Sequence, residues 1–239
     1  MRFAAVLLVA AASSLCGCAT AIFNKASNQP WTRETAPDMG GPADVMGENS
    51  IVVTFSGGGL RAAAFAHGVL TALESEKTPQ GDLLDDVAIL SSVSGSSLTS
   101  AYYGLYGREG LRRFREEVLL PGFESGLRLS LLNPANLVRI MHGGLNARED
   151  FGDVLDRRVF HGATFADFDR QPRPSIRIHA TDLYHRVPFP FSPPIFAVLC
   201  SDLSRYSVAD AVAATMAVPL VFAPIVVRSF PDNCPPLPK

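Results

Sequence analysis

The chain has 239 residues, of which 47% are hydrophobic and 18% charged, and its formal net charge is -2. That length holds one domain with a sizeable core, and the apolar content excludes a disordered chain. Near-neutral charge with no basic stripe argues against a nucleic-acid partner.

The chain opens on MRFAAVLLVAAASSLCGCAT. A positive start at Arg2, an apolar run from Phe3 to Ala12 and then small residues read as a secretory signal, too short to span a membrane as a helix. Its end, Leu15-Cys16-Gly17-Cys18, resembles the lipobox of bacterial lipoproteins. By that resemblance residues 1–18 are the signal, and Cys18 becomes the lipidated first residue. Acyl chains on Cys18 then anchor the protein, each buried CH₂ adding about 0.8 kcal/mol. Ala19 after the cysteine, by likeness to sorted lipoproteins, favours the periplasmic face of the outer membrane. Cys200 and Cys234 remain for a disulfide or as two free thiols, and both readings stay open. Residues 19–48, rich in Ala, Asn, Pro, Gly and Thr, read as a tether.

From Ser50 the pattern changes. SIVVTFS (50–56) is a β-branched run typical of a buried parallel strand. LRAAAFAHGVLTALESE (60–76) carries apolar residues at helical spacing, and TPQGDLLDD (78–86) is a loop. VAILSSV (87–93) is a second buried-type strand, and SGSSLTSAYYGLYG (94–107) starts a second helix. Strand, tight turn and helix, repeated, mark an α/β sheet with right-handed crossovers. REGLRRFREEVL (108–119) is an amphipathic helix; 130–141 and 147–160 predict two more. SIRIHATDL (175–183) returns to strand alternation. Residues 189–200, FPFSPPIFAVLC, suggest an edge hairpin. Residues 207–227 predict a helix from about Val208, stopped before Pro219, and then a strand. The proline-rich tail continues neither helix nor central strand.

Two turns carry chemistry. Gly57, Gly58 and Gly59 stand between a strand and a helix, where bare backbone and free helix N–H groups make a cradle for an anion or a developing oxyanion. Taken alone, three glycines read first as a tight strand-to-helix turn without a ligand. Ser94, in SSVSGSSL (91–98), follows a strand and precedes a helix with Gly95 next and small Ser92 and Ser96 flanking it, the form of a nucleophile elbow. The two turns are 35 residues apart, room for one helix, a loop and one strand. Adjacent parallel strands then deliver both to one carboxyl edge, where ligands bind in such folds. A serine beside an N–H cradle is a device for acyl transfer.

With these residues the sequence resembles the patatin-like phospholipases. SGGGLR looks like their Gly-Gly-Gly-x-Arg oxyanion loop, and SVSGS resembles their elbow, with the outer serine similar to the cytosolic phospholipase branch. AVAATMAVPLVFAPI (211–225) resembles the segment before their last catalytic strand. The resemblance implies a three-layer α/β fold over 49–239, with a mainly parallel central sheet flanked by helices. It implies a lipid acyl hydrolase with Ser94 as nucleophile. Gly58 and Gly59 supply the oxyanion donors and Gly57 shapes the loop. Arg61 either supports that loop or is a surface helix residue. A membrane lipid or lipid ester is the implied partner, and the scheme needs no metal or cofactor.

One expected part has no match. The family pairs its serine with an aspartate in an Asp-Gly motif, and no Asp-Gly dipeptide occurs in the chain. Asp232, among prolines, is a poor substitute. The expectation is a domain incomplete at the C-terminus, ending before the strand that carries the base. Of the five histidines, His67, His142, His161, His179 and His185, only His185 suggests a Ser-His pair, and nothing near it in sequence marks it out. The hydrolase expectation is for the intact gene product, with this chain as given inactive; beside it stand a catalytically inactive fragment or pseudoenzyme lipoprotein with a binding or envelope role, and a protein using the glycines as a static phosphate cradle.

Overall fold

β-Branched and aromatic residues suit a pleated surface, and two runs rich in them become neighbouring strands. The computed structural model describes residues 26–32, 50–121, 148–170, 174–218, 222 and 224–235. β1 (Ile51–Phe55) leads into α1 (Gly59–Ser75), then a short antiparallel pair, β2 (Lys77–Thr78) and β3 (Gly81–Asp82). Next come β4 (Val87–Val93), α2 (Gly95–Phe114), α3 (Arg148–Leu155), β5 (Ser175–Asp182) and β6 (Val187–Pro190). Two helices follow, α4 (Pro193–Val198) and α5 (Val208–Met216). The main sheet has the order β1-β4-β5-β6. β4 is parallel to both β1 and β5, and β6 alone turns back antiparallel. Parallel neighbours need a crossover, and α1 supplies the one between β1 and β4. This is the mainly parallel, helix-flanked α/β sheet that the sequence implies.

Small side chains set the packing. The first ten residues of α2, Gly95 to Gly104, are all buried. A Cβ on Gly104 would lie 2.4 Å from Ile176 Cγ1 of β5, so the helix rests directly on the strand. Ala63 and Ala66 of α1 are fully buried, and the Thr99 hydroxyl of α2 donates to the Ala63 carbonyl at 2.8 Å. The two helices that follow the glycine loop and the elbow are thereby held against each other.

The helix expected over 108–119 is the continuation of α2 beyond a break at Gly107, which takes φ 59 and ψ -150. Glycine adopts those angles without the Cβ penalty that other residues meet. After Phe114 the chain widens into a π-type turn, Arg115–Leu119. Just past the break, Arg108 gathers three carboxylates, Glu74 at 3.2 Å and Asp82 and Asp85 at 2.7 Å each. Asp82 is buried, and the Arg108 guanidinium holds its carboxyl below the usual range. Arg108→Met removes the closest cation from Asp82 and leaves it only Lys77 at 3.4 Å, and is expected to lower stability by about 1–3 kcal/mol. The pH dependence follows from the direction of the shift. A carboxyl whose folded pKa is depressed contributes its full stability above about pH 4 and loses it as the pH falls through the lowered value. Melting curves of the wild type should therefore drop steeply on the acid side, and those of Arg108→Met should drop less.

Several expectations meet corrections. Within the expected tether 19–48, residues 26–32 are part of the domain. Trp31 is buried, Ser27 N–H donates to the Val226 carbonyl, and Asn28 bonds to Ser201 and to the Arg228 main chain. The rest of that stretch, the signal with Cys18, and the helix expected over 130–141 lie outside the described residues. Residues 189–200 contribute only the end of β6 as strand. Pro193 and Pro194 then open α4, since proline fits the first helical turn, where its missing N–H has no partner to lose. The loop 78–86 contains the tight β2–β3 pair. α5 ends at Met216, before Pro219, but residues 224–230 form no strand. They run beside 26–28, held by the bonds of Ser27 and Asn28. Cys200 and Cys234 are joined through their sulfurs, with Cα atoms 4.2 Å apart, which ties this stretch to the end of α4. Among the described residues no helix is long and apolar enough to cross a membrane.

Candidate active site

β4 ends at Val93, and the chain must reverse into α2 within one residue. Ser94 is that residue, with φ 57 and ψ -135. A non-glycine side chain in such a conformation costs about 1–3 kcal/mol, and it persists only where the surroundings enforce it. Sharp strand-to-helix turns of this kind push the side chain out at the sheet edge. Ser94 Oγ does not cap its own helix. The outer serine of the elbow replaces the usual glycine by bonding inward: Ser96 Oγ donates to the carbonyls of Val93 at 2.8 Å and Phe55 at 3.3 Å.

The glycine loop arrives beside it. Because β1 and β4 are parallel neighbours, with Phe55 opposite Ser92, the turns after both strands meet at one edge. A Cβ on Gly57 would sit 3.0 Å from Ser94 Cβ and 3.6 Å from Ser94 Oγ. A Cβ on Gly95 would sit 2.0 Å from the carbonyl oxygen of Gly59 and 2.7 Å from its Cα. Backbone touches backbone, at the point where α1 and α2 both begin. Gly58 and Gly59 take φ 152 and 60, angles open to glycine and strained for other residues. Two helix N-termini therefore converge next to the Ser94 hydroxyl. Each brings unpaired N–H donors and a partial positive charge, which together favour negative charge at that spot. The arrangement can hold an oxyanion formed when a hydroxyl attacks an ester carbonyl.

On the other side of Ser94, β5 brings His179 opposite Val93. The His179 ring nitrogen Nε2 lies 3.1 Å from Ser91 Oγ. Burial, with a smaller contribution from Arg177, lowers its pKa. The Thr215 hydroxyl at the end of α5 accepts the Ser94 backbone N–H at 2.7 Å and donates to the His179 carbonyl at 2.5 Å. Sequence reasoning passed over Thr215. The only signal was its place in the run 211–225, whose likeness to the family's late segment singled out no residue within it.

The structure brings together Ser94, Gly57, Gly58 and Gly59. Arg61 is exposed in the first turn of α1. Asp232 is exposed in a short turn next to Cys234, on the stretch tied to α4. His185 lies in the exposed β5–β6 turn, where its Nδ1 pairs with Asp182 at 2.6 Å, so the Ser-His pairing considered for it does not form. His67 is bonded to the Leu111 carbonyl at 2.9 Å, and His161 ends the turn after α3 in a left-handed conformation. His142 lies outside the described residues. Among the described residues, no carboxylate or imidazole is hydrogen-bonded to Ser94 Oγ.

A search of curated proteins gives no match. Among solved structures, the chain is similar to a human GIVD cytosolic phospholipase A2 in complex with methyl γ-linolenyl fluorophosphonate and terbium chloride. The identity is 23% and the TM-score 0.37, over 63% of this chain and 23% of that one. The chain thus spans less than a quarter of that protein's length. The family model for patatin-like phospholipases matches residues 53–232, from within β1 through the elbow to the turn that holds Asp232. The chain belongs to the patatin-like phospholipase family.

Proposed function

We propose that the protein is a serine hydrolase of phospholipid or other lipid esters, working in lipid degradation at a membrane to which Cys18 anchors it. The observation that carries this reading is the contact between the glycine loop and the strained elbow. Ser94 Oγ attacks the ester carbonyl, and its proton passes to a base. The Gly58 and Gly59 N–H groups hold the resulting oxyanion, with Gly57 shaping the loop. Collapse of the tetrahedral intermediate breaks the ester C–O bond. The leaving alkoxide takes the proton from the base, and the acyl group stays on Ser94. Water then attacks the acyl-enzyme with the same base and the same cradle, releasing the fatty acid.

By family resemblance the base is an aspartate, and no residue of this chain matches its Asp-Gly motif. General-base help contributes about 10²–10⁴-fold in rate. A second reading is an inactive fragment or pseudoenzyme lipoprotein that keeps the fold for a binding or envelope role, favoured by the lack, among the described residues, of a carboxylate or imidazole bonded to Ser94 Oγ. The two separate in a single assay. Fatty-acid release is measured from phospholipid vesicles and from a short-chain soluble ester, with wild type and Ser94→Ala side by side. The hydrolase reading expects release that depends on Ser94. A folded wild type that releases no more than Ser94→Ala establishes the inactive reading instead.

A further inference from the structure

Parallel strands exchange evenly spaced N–H···O=C bonds along their length. The β4–β5 ladder closes with Val93 opposite His179. One residue further on, Thr215 Oγ1 stands between the Ser94 N–H and the His179 carbonyl, bonded to both. A side-chain hydroxyl from a third element thus occupies the place of the next ladder rung.

We infer that Thr215 is the positioning residue of the nucleophile elbow: its hydroxyl, bonded to the Ser94 N–H and the His179 carbonyl, locks the backbone angles that aim Ser94 Oγ at the glycine loop. The inference rests on the proposed role of Ser94 and adds a residue to it. The physical need is specific. At φ 57 the Ser94 peptide is turned away from strand geometry, and conformations of this kind last only where neighbours hold them. A direct rung would draw the two strands together at the edge where the elbow must stand free. A hydroxyl between them keeps them apart and leaves neither backbone group unpaired. Threonine inside a helix commonly bonds back to the preceding turn. Here the hydroxyl donates to His179 on β5 instead, so the bond links the sheet, the elbow and the end of α5.

The test compares Thr215→Val, which keeps the shape and removes both bonds, with Thr215→Ser, which keeps the hydroxyl. Two quantities are read on the folded full chain: hydrogen exchange of the Ser94 amide, and the rate of covalent labelling by a fluorophosphonate, resolved into affinity and maximal rate. In Thr215→Val the amide should exchange at least about tenfold faster. The maximal labelling rate should fall about 10- to 100-fold with affinity little changed, the size expected when both bonds are lost and their backbone partners are left unsatisfied. Thr215→Ser should restore both. Exchange within about twofold of wild type in Thr215→Val overturns the inference. Faster exchange with an unchanged labelling rate overturns it too, since the bond is then structural only. If wild type takes no label, the hydrolase reading fails on its own account, and amide exchange alone decides the role of Thr215. Should Thr215→Val not fold, Thr215→Cys carries the same comparison, its weaker donor and acceptor predicting an intermediate exchange rate and wild-type exchange contradicting the role.

Discussion

Ser94→Ala abolishes covalent labelling by a fluorophosphonate and lowers ester hydrolysis by at least about 10³-fold, because the removed atom is the one that forms the bond to the acyl group. What remains is the catalysis that the N–H cradle gives to attack by water. The expected stability change is small and favourable. Alanine lacks a hydroxyl that caps nothing in the native structure, although the strained backbone angles persist. A variant with the melting temperature of wild type and no label separates loss of the nucleophile from loss of the fold. Thermal melting and intact-protein mass spectrometry read the two outcomes on one sample.

Gly95→Ala should be nearly as damaging to activity, for a different reason. The added methyl would lie 2.0 Å from the Gly59 carbonyl oxygen, 2.4 Å from the carbonyl carbon and 2.7 Å from Cα. All three are main-chain atoms, so no change of rotamer relieves the contact. Either the glycine loop or the start of α2 must move, and the loop carries the proposed oxyanion donors. Removing one such donor typically costs about 10²–10³-fold in kcat, and displacing the loop should cost at least that much. Overpacking at a tight contact costs about 1–3 kcal/mol in stability. Gly59→Ala is a useful contrast. Nothing lies within 4 Å of its added methyl, so its penalty comes from φ 60 alone. The account expects a milder loss of activity there than in Gly95→Ala, measured as kcat on a soluble ester. Equal activity of wild type and Gly95→Ala would show that the loop and the elbow do not cooperate.

The part of the fold that positions Ser94 was legible because its signals are local. IVVTF followed by three glycines, and VAILSSV followed by Ser-Gly, are each strand, turn and helix within a dozen residues. The 35-residue spacing between the turns then leaves room for one crossover and makes the strands neighbours. What was not legible depends on contacts between distant residues. Residues 26–32 look like linker by composition, and nothing in NQPW announces that the Asn28 amide will bridge Ser201 and Arg228, 173 and 200 residues away. Pro193 and Pro194 stand in a stretch that suggests an edge hairpin, whereas proline in a first turn starts a helix. Gly107 marked the end of one predicted helix, and the structure uses it as a break inside one. Thr215 sits in a run of alanines where only its hydroxyl distinguishes it. Its role follows from where α5 ends relative to the β4–β5 ladder, and no spacing in the chain encodes that position.

The proposed mechanism requires the Ser94 hydroxyl to face the main-chain N–H groups of the glycine loop in a working geometry. A crystal structure of the protein after reaction with a fluorophosphonate tests it directly. Phosphorus is expected on Ser94 Oγ, with a phosphoryl oxygen about 2.7–3.1 Å from the Gly58 and Gly59 nitrogens. An adduct on another residue, or a phosphoryl oxygen turned away from both glycines, contradicts it.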